Sequence, residues 1–458
     1  MKGYKSENIR NVALVGHGGC GKTTFLEAAL LATGVISRLG RVEDGQTISD
    51  YDKMEIEKGY SINATVVPVE YNKVKINFVD TPGSFDFVGE VNSALRAVEA
   101  AAILVDAASG IQVGTEKAWD SCKKFGVPRF FVINKTDKEN VDVDDLVQQL
   151  KDKFGTSVVT LDDRESMEEE IAGTDEELIE AYFENMELTD EQFAKGLSKG
   201  IGSGDIVPVF NCSSMTGDGI EAVLQQLIDF VPKATDHEAF AAVDESGNDV
   251  EVEVDPAGKA AVLVFKTLAD SFLGKISLAK VIRGTIKSGQ TIYNAESEKE
   301  EKLGSLFFAR GKNQEDAAEV VAGDIVAIGK LQNTKTGDTL CDKSAIVKFP
   351  KIEFPSPTLY QSVEPAKKGD DEKMGSGLKR LMEEDPSFVL ESNIETHQTL
   401  IGGQGEIQLN IMKDKLKDKF GVDVETVPQK IAYRETIKGN SDVQGKHKKQ
   451  TGGAGQYG

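Results

Sequence analysis

The stretch Gly16-His17-Gly18-Gly19-Cys20-Gly21-Lys22-Thr23-Thr24 follows the pattern G-x-x-x-x-G-K-[ST] of a phosphate-binding loop. An apolar run at residues 12–15 predicts a buried strand before it, and residues 24–31 predict a helix after it. The glycines let backbone N–H groups surround phosphate oxygens at a helix N-terminus. In such a loop Lys22 lies against the β- and γ-phosphates, and the Thr23 hydroxyl holds Mg²⁺. The stretch therefore predicts a site for a nucleoside triphosphate with Mg²⁺.

Two later segments predict the rest of the phosphate end of this site. Up to about residue 232, short apolar strands alternate with helical stretches, which indicates a parallel sheet wrapped by helices. Residues 37–62 form a polar loop in which the Ser61 hydroxyl is expected to reach Mg²⁺ when a γ-phosphate is bound; an ordinary surface loop is the alternative. Residues 74–80 predict a strand that ends in Asp80 and is followed by Thr81-Pro82-Gly83. Asp80 is expected to hold Mg²⁺ through water, and the Gly83 N–H to contact the γ-phosphate.

The segment Asn134-Lys135-Thr136-Asp137 follows an apolar strand and predicts which base is bound. The Asp137 carboxylate can accept hydrogen bonds from guanine N1–H and from its exocyclic amine, a donor pair that adenine lacks. Hydrogen bonds to charged groups are worth about 1.5–3 kcal/mol each, so the pair predicts guanine. Asn134 is expected at the base edge and the Lys135 stem over the ring. The backbone of Ser213 and Ser214, after another strand, is expected to complete the pocket.

Composition bounds the class of protein. The 458 residues predict about three domains, and the net charge of −23 argues against non-specific coating of nucleic acid, which needs clustered Lys and Arg. The four cysteines show no C-x-x-C spacing and the four histidines no zinc-ligand spacing. Because the N-terminus has no apolar signal segment and no run could span a bilayer, we expect a cytoplasmic protein without a membrane partner.

The remainder of the chain predicts two further kinds of unit. Residues 233–257 are acidic with Gly and Pro and indicate a linker, and short alternating strands from 260 to about 342 predict a small β-barrel. Residues 358–427 predict strand, helix, strand, strand, helix, strand, a ferredoxin-like arrangement whose apolar helical stripes form a core. The segment Gly402-Gly403-Gln404-Gly405 lacks the Lys-Ser/Thr ending, so we interpret it as a strand-to-helix turn and not as a nucleotide site.

The order of these segments resembles the translational GTPases, and specifically elongation factor G. The stretches that carry the resemblance are Asp80-Thr81-Pro82-Gly83, Asn134-Lys135-Thr136-Asp137, Glu384-Asp385-Pro386-Ser387-Phe388, Tyr433-Arg434-Glu435-Thr436-Ile437 and Lys449-Gln450-Thr451-Gly452-Gly453. Residues 40–45 and 112–116 look most like the divergent second-type elongation-factor-G-like proteins.

The resemblance implies a multidomain α/β and β protein with defined units. These are a P-loop GTPase domain at 8–235 with a reduced helical insert at about 160–200, a β-barrel domain at 257–345, a ferredoxin-like α+β domain at 356–428, and the incomplete beginning of a further α+β domain at 431–458. It implies a monomer that binds GTP and GDP with Mg²⁺, hydrolyses GTP, and contacts ribosomal RNA and protein.

The predicted site residues fall into three overlapping sets. The nucleotide-binding set is Gly16, His17, Gly18, Gly19, Cys20, Gly21, Lys22, Thr23, Thr24, Asp80, Thr81, Pro82, Gly83, Ser84, Asn134, Lys135, Asp137, Ser213 and Ser214. The metal set is Thr23, Ser61 and Asp80, and the catalytic set is Lys22, Thr23, Asp80 and Gly83.

Three residues depart from the family pattern. Gly19 stands where the family has an acid that helps to hold a cation, and Ser61 replaces a threonine. Ser84 replaces the histidine that positions the attacking water, and a serine side chain is too short for the same task. Slow hydrolysis is therefore expected, and a GTP-binding module that works by occupancy is one alternative. A ribosome-protection protein with the same domain order is another.

The last segment carries the only dense basic patch of the sequence, Lys446-His447-Lys448-Lys449. The family places it near RNA, and a solvated basic turn is the alternative on sequence alone. Since a lone strand after residue 451 cannot bury a core, residues beyond about Lys438 are expected to pack poorly, and movement of messenger and transfer RNA is not expected of these 458 residues.

Overall fold

The computed structural model describes residues 3–155, 157–161, 164–237, 239–270 and 274–447, together with residues 452, 456 and 457. The described residues form a P-loop unit (residues 9–230), a β-barrel unit (240–348) and a ferredoxin-like unit (359–427). The predicted fold class is confirmed by these units, which combine a sheet with helices on both faces, antiparallel β structure and an α+β layer.

The P-loop unit is a seven-stranded sheet in the order β2-β3-β1-β4-β5-β7-β6, in which only β2 is antiparallel to its neighbour. Its strands are β1 (Ile9–Gly16), β2 (Thr65–Tyr71), β3 (Val74–Asp80), β4 (Ala100–Asp106), β5 (Arg129–Asn134), β6 (Val158–Thr160) and β7 (Val207–Asn211). Its helices are α1 (Lys22–Ala32), α2 (Lys53–Lys58), α3 (Val88–Leu95), α4 (Val113–Phe125), α5 (Val143–Phe154), α6 (Arg164–Ala172), α7 (Glu176–Asn185), α8 (Asp190–Ser203) and α9 (Ile220–Phe230).

Burial on both faces of the sheet explains the apolar strands. Every residue of β3 and β4 is buried, as expected for a parallel sheet covered by helices. Helices α1 and α9 pack on one face, whereas α3, α4 and α5 pack on the other. Because the central strands are parallel, Gly16, Asp80, Asp106 and Asn134 end them at one edge of the sheet.

The β-barrel unit is an eight-stranded antiparallel sheet in the order β14-β13-β19-β10-β11-β18-β15-β16, with two smaller sheets beside it. Its strands are β8 (Phe240–Asp244), β9 (Asp249–Val252), β10 (Ala261–Asp270), β11 (Gly274–Arg283), β12 (Thr285–Lys287), β13 (Thr291–Asn294), β14 (Lys299–Lys302), β15 (Leu306–Arg310), β16 (Asn313–Ala317), β17 (Glu319–Val321), β18 (Ile325–Gly329), β19 (Thr339–Cys341) and β20 (Val347–Lys348).

The prediction of a linker at 233–257 is wrong for residues 240–252. These residues form the hairpin β8–β9, and β20 adds a third strand to it. Ala242 and Val252 are buried together with Ala261 and Leu263 of β10. The acidic residues Asp249 and Glu251 of β9 are exposed, so composition alone concealed the inward apolar residues of the hairpin.

The ferredoxin-like unit has the predicted order of elements. It consists of β21 (Leu359–Pro365), α10 (Asp371–Glu384), β22 (Val389–Asn393), β23 (Gln398–Gly403), α11 (Glu406–Phe420) and β24 (Val424–Val427), with the antiparallel sheet order β22-β23-β21-β24. The apolar stripes of both helices face one core, which confirms that prediction. The segment Gly402-Gly403-Gln404-Gly405 comprises the last two residues of β23 and the two residues before α11, which is the predicted passage from strand to helix.

The interface between the P-loop and β-barrel units contains buried ion pairs. In each pair a lysine and a carboxylate come from different units; the pairs are Lys75–Asp324, Lys266–Glu90 and Lys280–Glu99. Lys75 Nζ lies 2.8 Å from the Asp324 carboxylate, and both side chains are almost completely buried. These charges compensate each other only when the two units are docked.

Two peripheral segments complete the described structure. Helices α6–α8 surround their own small core, which contains Ile171 and Leu197. After the ferredoxin-like unit, residues 431–447 are exposed, and β25 (Lys446–His447) pairs with β26 (Gln456–Tyr457). The remaining lysines of the basic patch, Lys448 and Lys449, lie outside the described residues. Across the described ranges, no helix is long and apolar enough to cross a membrane.

Candidate nucleotide site

The phosphate-binding loop joins β1 to α1. Gly21 precedes α1 with φ of 98° and provides no side-chain cap, so the first N–H groups of the helix stay available for phosphate. Gly16 also has a positive φ, and a Cβ there would lie 2.6 Å from Leu104 O. Lys22 Nζ donates to Gly16 O at 3.2 Å and to His17 O at 3.1 Å. The lysine therefore lies along the loop, where a phosphate would be cradled.

The three predicted metal-binding residues lie together. Thr23 Oγ1 donates to Asp80 Oδ2 at 2.8 Å and lies 3.3 Å from Ser61 Oγ. The other oxygen, Asp80 Oδ1, is buried and has no hydrogen-bond partner among the described residues. Burial raises the pKa of Asp80, although hydrogen bonds from Ser49 and Thr23 and the charge of Lys22 act in the opposite direction. The loop that contains Ser61 and the end of strand β3 thus meet at the start of α1.

Two further oxygen-bearing residues of the loop join this cluster, and sequence reasoning missed both. Ser49 Oγ donates to Asp80 Oδ2 at 2.8 Å. Asp50 is 4% exposed, and its Oδ2 has no hydrogen-bond partner within the described part of the chain. Burial raises the pKa of Asp50 to about 7, reinforced by the charges of Asp80 and Glu55. The only sequence signal was a Ser-Asp pair within a polar loop that showed no periodicity.

The residues after Asp80 have distinct positions. Gly83 packs against the loop so closely that a Cβ would lie 2.6 Å from Gly18 Cα and 2.7 Å from Lys22 Nζ. Ser84 is half-buried and lines the same cavity of about 510 Å³ as Lys22 and Thr23. Thr81, in contrast, is completely buried and donates to Leu14 O at 2.6 Å.

Several other predicted residues do not line this cavity: Gly16, His17, Cys20, Asp80, Pro82, Asp137 and Ser213. Pro82 lines a neighbouring cavity of about 320 Å³. His17 Nδ1 accepts a hydrogen bond from Gly114 N at 3.2 Å. Cys20 is 1% exposed, with its sulfur 3.9 Å from Lys22 Nζ.

The predicted base end is held by side-chain hydrogen bonds. Asn134 Oδ1 accepts from Ser214 Oγ at 2.8 Å, while Asn134 Nδ2 donates to Cys20 O at 3.2 Å. Asp137 Oδ1 accepts from Ser213 Oγ at 2.5 Å. The ends of β5 and β7 are thereby tied to each other and to the phosphate-binding loop. Asn134, Lys135 and Ser214 line the 510 Å³ cavity.

Asp106, at the end of β4, positions Lys135. Sequence reasoning missed this residue as well. Lys135 Nζ donates to Asp106 Oδ2 at 2.7 Å and to Gly19 O at 2.6 Å, and Lys138 reaches the same carboxylate at 3.1 Å. Burial alone would raise the pKa of Asp106, but the hydrogen bonds from Lys135 and Lys138 outweigh it and lower the pKa. The sequence signal that could have identified Asp106 is an acidic residue at the end of an apolar strand.

Three family models and a solved structure match this chain. The family model for the elongation factor Tu GTP-binding domain matches residues 7–233, that for elongation factor G domain 2 matches 259–343, and that for elongation factor G domain III matches 354–428. This chain is also similar to a protein from Thermus thermophilus whose crystal structure is known, with 31% sequence identity and a TM-score of 0.85. The match covers 99% of this chain and 72% of the Thermus chain.

The chain belongs to the elongation factor G family. It is a translational GTPase with the domain architecture of elongation factor G, which confirms the predicted family.

In this member of the family, the ferredoxin-like unit reaches the candidate nucleotide site. Ile407, on the first turn of α11, lines the 510 Å³ cavity beside Tyr60 and Ser84. Val42, Glu43 and Met215 line it as well. Ile407 lies more than three hundred residues from the phosphate-binding loop, and no sequence motif connected the two.

Proposed function

We propose that this chain binds GTP with Mg²⁺, hydrolyses it to GDP and phosphate, and acts on the ribosome. The observation that carries the proposal is that Lys22, Thr23 and Ser61 line one cavity. Behind them, the buried carboxylate of Asp80 accepts a hydrogen bond from Thr23. The loop that contains Ser61 and the segment after Asp80 would be held in one arrangement by GTP and released by hydrolysis. The reaction would be in-line attack of water on the γ-phosphate.

The chain's own groups account for binding and charge stabilisation at the phosphates. Lys22, the loop N–H groups and the Gly83 N–H would surround the β- and γ-phosphates and stabilise the charge of the transition state. At the other end, Asp137 would accept from guanine, Asn134 would face the base edge, and Lys135 would cover the ring. Ser213 and Ser214 would close the pocket.

The residues present fit Mg²⁺. The ion prefers oxygen ligands, and the cluster offers hydroxyl and carboxylate oxygens only. Asp80 Oδ1 and Asp50 Oδ2 are buried without a hydrogen-bond partner in the described structure, which is costly for a carboxylate unless a cation or its water is nearby. Thr23 and Ser61 would hold the ion, with Asp80 and Asp50 acting through water. When bound, it neutralises charge on the phosphate oxygens.

The serine at position 84 supports slow hydrolysis of GTP, and it also favours a second candidate function. Its short side chain lines the cavity where the family has a water-positioning histidine. A poorly hydrolysing module that works through occupancy by GTP is therefore the alternative.

Within the family, we propose that this chain is an elongation-factor-G-like protein of the second type and that it acts as a monomer. We also keep the sequence-derived units, 8–235, 257–345, 356–428 and the segment from 431. To the second of these we add the hairpin β8–β9, because its apolar residues are buried with β10.

Nucleotide binding and single-turnover hydrolysis, with and without ribosomes, test this proposal. We expect fluorescent GTP and GDP analogues to bind, ATP to compete poorly, and ribosomes to accelerate phosphate release. Binding without any ribosome-stimulated release would favour the occupancy function. Equal competition by ATP and GTP would contradict the assigned base pocket.

A further inference from the structure

The N-terminus of α11 is capped by a residue from another unit. Gln408 is the third residue of the helix, and its backbone N–H donates to Asp86 Oδ2 at 3.0 Å. This is the hydrogen bond that an N-cap side chain normally makes to the helix it begins. The residue at the cap position, Gly405, makes no side-chain cap of its own. Asp86 belongs to the short 3-10 turn Phe85–Phe87, directly after Asp80–Ser84.

Gly405 is a glycine because of this carboxylate. Its φ of −171° is extended backbone that any residue can adopt, so conformation does not require glycine. A Cβ at position 405 would lie 2.5 Å and 2.7 Å from the two carboxylate oxygens of Asp86. The absence of a side chain at Gly405 therefore leaves room for the Asp86 carboxylate.

Buried hydrogen bonds extend the contact into the ferredoxin-like unit. The Gln408 side chain is completely buried, and its Nε2 donates to Asp385 Oδ2 at 2.7 Å and to Ser387 Oγ at 2.8 Å. Its Oε1 accepts from Gln404 N at 2.6 Å. Asp385 and Ser387 follow α10, so one residue of α11 links the Asp86 cap to both helices of the unit.

One face of α11 contacts the parts of the P-loop unit that border the nucleotide cavity. Ile407 lines that cavity, and Ile411 is buried with Phe87, Met54 and Ile62. Further along the same face, Lys415 Nζ donates to Asn63 Oδ1 at 3.3 Å. The opposite face, with Leu409 and Leu416, belongs to the ferredoxin-like core. A shift of α11 would therefore move the cavity wall and the unit together.

We propose that Asp86 acts as a helix cap across the unit interface, so that the position of the segment after Asp80 decides whether α11 is seated. This inference rests on the proposed function in one respect: it takes the bound nucleotide to be what moves that segment. With the segment in the arrangement described, Asp86 satisfies the helix N-terminus and α11 supplies Ile407 to the cavity. When the segment moves away, the α11 N–H groups lose their acceptor and the helix dipole loses a compensating charge.

Hydrogen exchange of residues 406–411 in the full chain tests the cap, first without nucleotide. Asp86→Ala should raise the exchange rate about 2- to 30-fold, the fold-change that corresponds to an N-cap worth about 0.5–2 kcal/mol. Asp86→Asn keeps an acceptor oxygen and should have a smaller effect. As a matched control on the same helix, Asp414→Asn removes an exposed carboxylate 3.5 Å from Lys58 and should leave exchange at 406–411 unchanged.

Gly405→Ala provides a second, independent variant. Its Cβ should displace the carboxylate and raise exchange as Asp86→Ala does, and the double variant Asp86→Ala/Gly405→Ala should be no worse than Asp86→Ala alone. Additive effects of the two substitutions would overturn the cap, because a carboxylate that is absent cannot clash. Unchanged exchange in Asp86→Ala would overturn it as well.

The nucleotide arm compares GDP with the β,γ-imido analogue of GTP. In the unmodified chain, residues 406–411 should exchange faster with GDP, and Asp86→Ala should remove that difference. A difference that persists at full size in Asp86→Ala would overturn the coupling. If the unmodified chain bound neither nucleotide, the proposed function would fail, whereas the nucleotide-free comparison would still support or overturn the cap.

Discussion

Replacing Lys75 with methionine isolates the contribution of one buried charge at the interface of the P-loop and β-barrel units. Lys75 Nζ lies 2.8 Å and 2.9 Å from the two carboxylate oxygens of Asp324, and their side chains are 1% and 4% exposed. It also lies 3.3 Å from the centre of the Phe308 ring. Methionine keeps the length and the apolar contact but leaves Asp324 as a buried charge without its cation.

The expected loss follows from that unpaired carboxylate. Removing one partner of a buried ion pair costs about 3–5 kcal/mol. Asn77 Nδ2 still donates to Asp324 Oδ1 at 2.9 Å, which favours the lower end of this range. At about 2–4 °C per kcal/mol for a unit of this size, the melting temperature should fall by roughly 6–20 °C.

Differential scanning calorimetry and urea unfolding measure this loss, with two companion variants. Lys343→Met breaks an exposed pair with Glu300 at 2.7 Å and should cause no measurable change, since water screens both charges. The double variant Lys75→Met/Asp324→Leu removes both buried charges and should recover most of the stability. If Lys75→Met were as harmless as Lys343→Met, or if the double variant stayed as unstable as the single one, the reasoning from the buried charge would be refuted.

Three further outcomes are expected at the nucleotide site. Asp137→Asn should weaken GTP binding at least about 100-fold, since two charged hydrogen bonds are lost, and should improve binding of xanthosine triphosphate; competition titrations would contradict this if GTP affinity were unchanged. Ser84→His should accelerate ribosome-stimulated turnover by up to about 10²–10⁴-fold, and no change with intact nucleotide binding would show that another group positions the water. Because its hydrogen bonds lower the pKa of Asp106, the carboxylate stabilises the fold above about pH 4, the ordinary pKa, and less as pH falls further. The stability difference between the unmodified chain and Asp106→Asn should therefore shrink between pH 7 and pH 3, and a constant difference in urea unfolding would contradict this assignment.

The sequence predicted those elements whose structure depends only on residues that are neighbours along the chain. The phosphate-binding loop needs only a strand, its glycines and a helix, all within residues 12–31, and the structure has them there. The helical stripes of the ferredoxin-like unit were readable for the same reason, because their period depends on the helix alone. The hairpin at 240–252 was missed because its few inward residues become apolar contacts only when β10 is present.

By itself, the sequence determined the order of the segments, and with it the family, the expected nucleotide and the meeting of Thr23 and Asp80. Parallel strands end at one edge of a sheet, so residues that follow those strands had to come together. Only the tertiary structure decided that Asp50 lines the cavity beside these side chains, that Asp86 caps α11, and that Ile407 borders the same cavity. Each of these contacts involves either the loop without periodicity or two different units. Their geometry depends on how whole surfaces pack, and no spacing along the chain encodes it.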